Sequence, residues 1–174
     1  MDMFAAEYDG FWAGIAVHNG DPMVVTTYDA GIGGLVSGYP SALVDRMSVI
    51  DPSEMEADFL TRVQVAPKAS IENGATWNPT TRELKVSTSA TFLSSATNAY
   101  KLGIVLTEDE VTGTGSGYNQ SNAYANNAAG PMGGFESLPN PVPAAQMVYD
   151  HVARAIAPSF TGAPNSFPAT VNTG

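Results

Sequence analysis

Residues 11–46, FWAGIAVHNGDPMVVTTYDAGIGGLVSGYPSALVDR, constrain the fold more than any other stretch of the chain. Phe11 to Val17 is uncharged, continuously apolar and rich in β-branched and aromatic side chains, the pattern of a strand covered on both faces by helices. The run stops at His18-Asn19-Gly20-Asp21-Pro22, where a glycine, a proline and two side chains able to bond local backbone break an extended chain. Val24 to Ile32 then has room for two or three helical turns before Gly33, Gly34 and Gly38 end them. Gly38-Tyr39-Pro40 follows, and Ser41 to Arg46 resumes an extended apolar run that closes on the charged pair Asp45 and Arg46.

A strand, a helix and a proline opening the next strand form the second half of a thioredoxin-like α/β unit. In such a unit the Tyr39-Pro40 bond is cis, an uncommon state even for X-Pro. The competing reading is a trans proline at the start of an edge strand, where a missing N–H is tolerated.

With 174 residues the chain is long enough for one domain or two small ones. The pattern changes character near Asp51, which favours two. The expected class is α+β: residues 1–64 as a partial thioredoxin-like domain, and 65–174 as an antiparallel Ig-like β-sandwich incomplete at its C-terminus. Seven Lys and Arg against 17 Asp and Glu give a net charge of −10. Such a surface repels phosphate backbones and anionic lipid, so nucleic-acid and membrane-surface partners are disfavoured. The chain has no cysteine, which excludes disulfides, thiolate metal sites and dithiol redox chemistry within it. No apolar run approaches the roughly 18–20 residues of a membrane span. Met1-Asp2-Met3 also lacks the basic and apolar regions of a signal peptide.

Met1, Phe4, Ala5 and Tyr8 lie at helical spacing ahead of the stop signal Asp9-Gly10. So short a helix is marginal alone and must dock, or be the end of something longer. Asp51-Pro52-Ser53-Glu54 starts another helix with a side-chain acceptor at the N-cap and proline in the first turn. Its apolar stripe is Met55, Phe59, Leu60 and Val63, ordinarily a core stripe.

From Pro67 the period becomes two. Ala69, Ile71 and Asn73 alternate with polar neighbours, Asn78-Pro79-Thr80-Thr81 makes a turn, and Leu84, Val86, Thr88, Ala90 and Phe92 face one way. After a turn at Ser94 to Asn98, Tyr100, Leu102, Ile104 and Leu106 are expected to add a third strand to this sheet, in the style of an Ig-like sandwich. Thr107 to Pro143 is a long polar excursion with many glycines, and such a loop is functional or disordered. Gln146 to Ala157 alternates as a strand, and the tail from Pro158 is rich in Pro, Ser, Thr and Gly.

Chemistry-bearing residues are few. His18 and Asp21 sit at a strand's C-terminal end, where α/β folds place ligands; they form a proton carrier or metal site, or else a histidine bonded to its own turn. His18 and His151 could meet at a metal, a weak signal for two distant histidines. Glu108, Asp109 and Glu110 offer oxygens to calcium, but at no EF-hand spacing, and a charge run is ordinarily a solvated face. Tyr118, Tyr124 and Phe135 either stack on a sugar or peptide or pin their loop to the core. No G-x-S-x-G, phosphate-cradling glycine loop or H-E-x-x-H is present, so no catalytic residue and no cofactor are expected.

Four blocks carry a family resemblance: Gly14-Ile15-Ala16-Val17-His18-Asn19-Gly20-Asp21-Pro22-Met23, Gly38-Tyr39-Pro40-Ser41-Ala42-Leu43-Val44-Asp45-Arg46, Leu106-Thr107-Glu108-Asp109 and Tyr149-Asp150-His151-Val152-Ala153-Arg154. In this order they resemble the outer-membrane-protein-related family named for a twenty-eight-kilodalton antigen of Gram-negative bacteria. The resemblance implies a secreted, periplasmic or outer-membrane-associated protein with a thioredoxin-like domain followed by a β-sandwich. It also implies an upstream Cys-x-x-Cys segment that is not in this sequence, so that Pro40, with Tyr39, is what remains of a redox groove. A vestigial groove would then comprise Tyr39, Pro40, His18 and Asp21. The expected function is a non-catalytic binding or structural piece of a cell-surface protein, with an unidentified protein or glycan as partner. The alternatives are part of a thiol-disulfide oxidoreductase or disulfide-handling chaperone, and a calcium- or glycan-binding surface module.

Overall fold

A computed structural model describes residues 1–97 and 100–173. Asn98, the end of the turn expected from Ser94, lies outside the described residues. The chain is α+β with small antiparallel sheets, and it divides into two compact units. Residues 1–63 and 103–163 form the first; 64–102 with the stretch from Pro164 form the second. The division differs from the expected 1–64 and 65–174, because the later half of the chain contributes to both units.

In the first unit, helix α1 (Asp2–Glu7) is as short as its spacing suggests. It docks through aromatic rings onto helix α3 (Met55–Arg62). Phe4 is buried and meets Phe59 edge to face at 5.4 Å, Tyr8 meets Phe59 at 4.9 Å, and Trp12 meets Phe4 at 5.5 Å. The Tyr8 hydroxyl donates to Glu56 Oε1 at 2.7 Å, and this bond is the main cause of the upward shift of its pKa. Helix α3 follows a 3-10 turn, Pro52–Glu54, capped as the sequence suggests: Asp51 Oδ1 accepts from Ser53 N at 2.9 Å and from Ser53 Oγ at 2.6 Å. Of its expected apolar stripe only Phe59 is buried; Leu60 and Val63 are exposed.

Helix α2 (Thr26–Gly33) ends at its glycines as expected. Its inward anchor is Tyr28, whose ring packs on Phe160, while the Arg46 guanidinium lies 4.3 Å from the Phe160 ring centre and donates to the Phe160 carbonyl at 3.1 Å. The Phe160 ring rests directly on Gly31, so that a Cβ there would overlap ring atoms. Gly31→Ala is therefore expected to lower stability by about 1–3 kcal/mol, the overpacking penalty exceeding the ~1 kcal/mol that alanine gains in a helix interior. A lowered midpoint of thermal unfolding checks it; an unchanged or raised midpoint refutes the packing claim.

The Tyr39-Pro40 bond is cis, as are Asn140-Pro141 and Ala157-Pro158. Beyond Pro40 the chain forms a small hairpin: Ala42 and Ile50 exchange both main-chain bonds, and Met47 N donates to the Val44 carbonyl across Asp45 and Arg46, both in the left-handed region. Asp45 accepts from Arg62 Nε at 3.0 Å.

Phe11 to Val17 does not form the covered strand that its composition predicts. It makes one parallel bridge, Ala16 to Val152, and leaves Phe11 and Ile15 exposed. The reason is partnership: among the described residues the segment bridges another strand only at Ala16. That partner is β4 (Val152–Ala157), which pairs antiparallel with β3 (Ile104–Glu108) through a bulge at Leu106/Thr107. The expected third strand thus starts later than Tyr100 and joins the first unit. Gln146 to Ala157 likewise splits into a 3-10 turn at Ala144–Gln146 and β4.

The core of this unit is Met23, Val142, Met147, Tyr149 and Val152, with Val111, Tyr118, Phe135 and Leu138 packed against it. The stretch from Thr107 to Pro143 is folded onto that core. Bridges Val111 to Tyr149 and Gln120 to Val142 tie down its ends, and 3-10 turns at Ser116–Tyr118, Ala125–Asn127 and Phe135–Ser137 fill it.

The second unit is built on a hairpin of β1 (Ala69–Asn78) and β2 (Glu83–Phe92) in register from Ala69↔Phe92 to Asn78↔Glu83. Asn78 Oδ1 caps the turn by accepting from Thr80 N and Thr81 N. Phe92 is buried between Tyr100 and Phe167. The alternation is as expected, yet Ile71, Trp77, Leu84 and Val86 on the apolar face are exposed. A sandwich needs a facing sheet, and among the described residues this unit has only the one pair of strands.

Candidate functional site

The groove of the first unit brings together the four residues expected to line it. Two continuous stretches, 10–19 and 39–46, supply much of its lining, and His18, Asp21, Tyr39 and Pro40 all contribute to it. Its volume is about 1090 Å³, above the ~300–1,000 Å³ of most small-molecule sites.

His18 and Asp21 are held by the turn that follows Val17. Asp21 Oδ1 accepts from Met23 N at 2.8 Å, which fixes the carboxylate, and Oδ2 lies 2.6 Å from His18 Nδ1. A carboxylate only accepts, so Nδ1 carries the proton in this pair. The ring stands edge-on to Tyr149 at 5.4 Å, and the Tyr149 hydroxyl donates to the Tyr118 carbonyl at 2.7 Å. Burial first, and then the Asp21 charge, pushes the Tyr149 pKa up. His18 is thus bonded to its own turn. Among the described residues no hydroxyl is hydrogen-bonded to its ring.

Tyr39 also lines the groove and is exposed. Partial burial, and after it the Asp29 charge, raises its pKa. The Asp29 carboxylate accepts from Asn19 Nδ2 at 3.0 Å at each oxygen and from Tyr39 OH at a longer 3.4 Å. One carboxylate on α2 therefore links the two lining stretches through Asn19 and Tyr39.

The other candidates are not gathered in this way. Tyr124 is buried, and Tyr118 and Phe135 pack on the core, so their rings hold the loop in place. Glu108 pairs with Arg154 Nε at 3.0 Å, Asp109 accepts from His151 N at 2.6 Å, and Glu110 N donates to Asp150 at 2.7 Å. His151 meets Trp12 edge to face at 5.1 Å and lies by Asp109, whereas His18 has Asp21. Among the described residues no three carboxylate or imidazole side chains converge as a metal site needs. Sequence reasoning missed Gln120, Ser121 and Ala123 at the groove, which arrive there because Gln120 bridges Val142. No local signal marks them.

No family model, no curated protein and no solved structure matches the chain. Among the described residues no helix is long and apolar enough to cross a membrane.

Proposed function

We propose that the chain is a non-catalytic binding module of a secreted or outer-membrane-associated protein, with the groove that residues 10–19 and 39–46 help to line as its binding surface. In this reading the first unit is thioredoxin-like and the second contributes an Ig-like β layer. The observation that carries it is the groove itself, about 1090 Å³ and lined in part by apolar residues such as Trp12, Ile15 and Leu43. The cell-envelope setting rests on the sequence resemblance alone.

The reading predicts that the apolar dye bis-ANS binds with energy transfer from Trp12, and that Ala13→Phe, which fills the groove, lowers the affinity roughly ten-fold or more, as loss of a well-packed apolar contact does. Thr114→Phe serves as the control and leaves it unchanged. Equal binding by all three proteins refutes the groove as the site. A second reading, part of a thiol-disulfide oxidoreductase whose dithiol is supplied by a segment outside this sequence, is favoured by the gathering of Tyr39, Pro40, His18 and Asp21 at one groove. Insulin reduction by the parent protein would favour it over the first.

A further inference from the structure

Charge is divided unevenly between the two units. Residues 64–102, with those from Pro164 onward, hold the four cations Lys68, Arg82, Lys85 and Lys101 against Glu72 and Glu83, a formal charge of +2. Residues 1–63 and 103–163 hold three cations against 15 carboxylates, a formal charge of −12. The net −10 of the chain therefore hides two opposite signs.

The cationic unit also carries the exposed sheet face. Register places Ile71 opposite Ala90, Ala75 opposite Val86 and Trp77 opposite Leu84 on one side of the hairpin, while Glu72, Lys85, Ser87 and Ser89 share the other. Ile71, Trp77, Leu84 and Val86 are all exposed, Trp77 at 57%. Trp77 and Leu84 lie beside the turn at the hairpin's end. There Arg82 is exposed and, among the described residues, makes no ion pair. Tryptophan and arginine are the side chains most enriched at binding hot spots, and an exposed apolar patch rimmed by polar groups marks an interaction surface.

We infer that this hairpin end docks on the acidic first unit of a second copy of the chain, with Trp77 and Leu84 supplying the apolar contact and Arg82 the charge. Charge complementarity selects the occupant. Two hairpins face to face bring +2 against +2, whereas the hairpin unit and the first unit bring +2 against −12. The first unit also exposes apolar side chains close in sequence to exposed carboxylates, Phe11 with Asp9 and Met47 with Asp45. Such a contact joins unlike surfaces, so each copy gives one and receives one, and the product is a head-to-tail chain or ring. Strands of 10 residues make a face about 33 Å long and about 10 Å wide, a footprint below the ~800 Å² per partner of stable complexes. The association is accordingly weak and concentration-dependent. The hairpin takes no part in lining the groove, so the inference does not rest on the groove as a binding site.

Sedimentation velocity of the whole protein, from micromolar to near-millimolar concentration, is expected to show association that grows with concentration and is suppressed by added salt. Trp77→Ser is expected to weaken it roughly ten-fold or more. Arg82→Glu is expected to weaken it several-fold at low salt. Both side chains are exposed, so both variants should keep the thermal midpoint of wild type. Immobilised Trp77→Ser protein is expected to retain wild type, because its acidic unit is intact, yet not to retain more Trp77→Ser protein. A monomer at every concentration overturns the inference, as does association that neither variant nor salt alters. Immobilised Trp77→Ser protein that retains neither partner reveals a hairpin-to-hairpin contact and overturns it equally. Wild type that stays monomeric and sediments with phosphatidylserine vesicles identifies an anionic membrane surface as the occupant, and this too overturns it.

Discussion

Replacing Asn122 with alanine is expected to destabilise the first unit by about 2–4 kcal/mol, because several polar groups lose their partners at once. The residue is 4% exposed. Its Nδ2 donates to the carbonyls of Phe135 at 2.7 Å, Pro139 at 3.2 Å and Leu138 at 3.3 Å, and its Oδ1 accepts from Tyr124 N at 3.1 Å. Its own N–H donates to Asn140 Oδ1 at 3.0 Å, which ties the same two stretches together again. One side chain thus stands in for the ladder bonds that this loop lacks. Alanine leaves three carbonyls and an amide to find water in a packed setting, each at about 1–3 kcal/mol where water cannot reach. Denaturant unfolding should show a lower midpoint at unchanged slope. Hydrogen exchange should accelerate between residues 119 and 140 more than in β3 or β4. Asn122→Asp is expected to be as harmful at neutral pH and less so in acid, since a carboxylate facing three carbonyl oxygens is favoured only when protonated. A loss under 1 kcal/mol in both variants refutes the role.

That loop also shows what the sequence conveys and what it withholds. From 107 to 143 the chain reads as polar and glycine-rich, which is equally the composition of a mobile loop and of one whose bonds run from side chain to backbone. Asn119 donating nothing to a ladder but accepting from Ala144 N, and Glu136 accepting from Met132 N and Gly134 N, are of the second kind. Only the fold decides between them. Local features were legible where the cause is local: α2 stops at Gly33, the 3-10 turn before α3 starts on the Asp51 cap, and β1 and β2 alternate around the Asn78 turn. Partnership was not legible. Alternation in Ile104 to Leu106 fixes which residues share a face, not which strand lies alongside, and the partner proved to be β4. The same limit applies to Phe11 to Val17, whose apolar run signals burial although, among the described residues, it bridges a strand only at Ala16. His18, Asp21, Tyr39 and Pro40 were grouped in the sequence only through the family resemblance, and all four line one groove.

Between pH 10 and 12 the protein is expected to lose stability through Tyr124. The residue is buried, and its hydroxyl donates to Asp51 Oδ1 at 3.1 Å. Burial, then the hydrogen bond to Asp51 and the Asp51 charge, raise its pKa to about 12. In the unfolded chain the phenol ionises near its ordinary value of about 10. Below that pH both states keep the proton and the contribution to stability is complete. Above it the unfolded state releases a proton that the folded state retains, so stability falls as pH rises until the folded phenol also ionises. The full loss is on the order of 2–3 kcal/mol. Tyr8, Tyr39 and Tyr149 are also shifted upward, so the difference between wild type and Tyr124→Phe isolates this group. The variant should show a shallower alkaline decline. Asp51 itself is held below the usual carboxylate range chiefly by the Ser53 hydroxyl and amide, and so retains its cap without the phenol. Asp51→Asn separates charge from hydrogen bond: asparagine still caps the helix and still accepts, while the negative charge beside the phenol is gone. Tyr124 should then ionise at lower pH than in wild type, read as an earlier rise in phenolate absorbance. Identical alkaline curves for wild type and Tyr124→Phe would mean that the phenol is not protected from ionisation in the folded state, and that the Tyr124 to Asp51 bond does not join this loop to the start of the helix that follows Asp51.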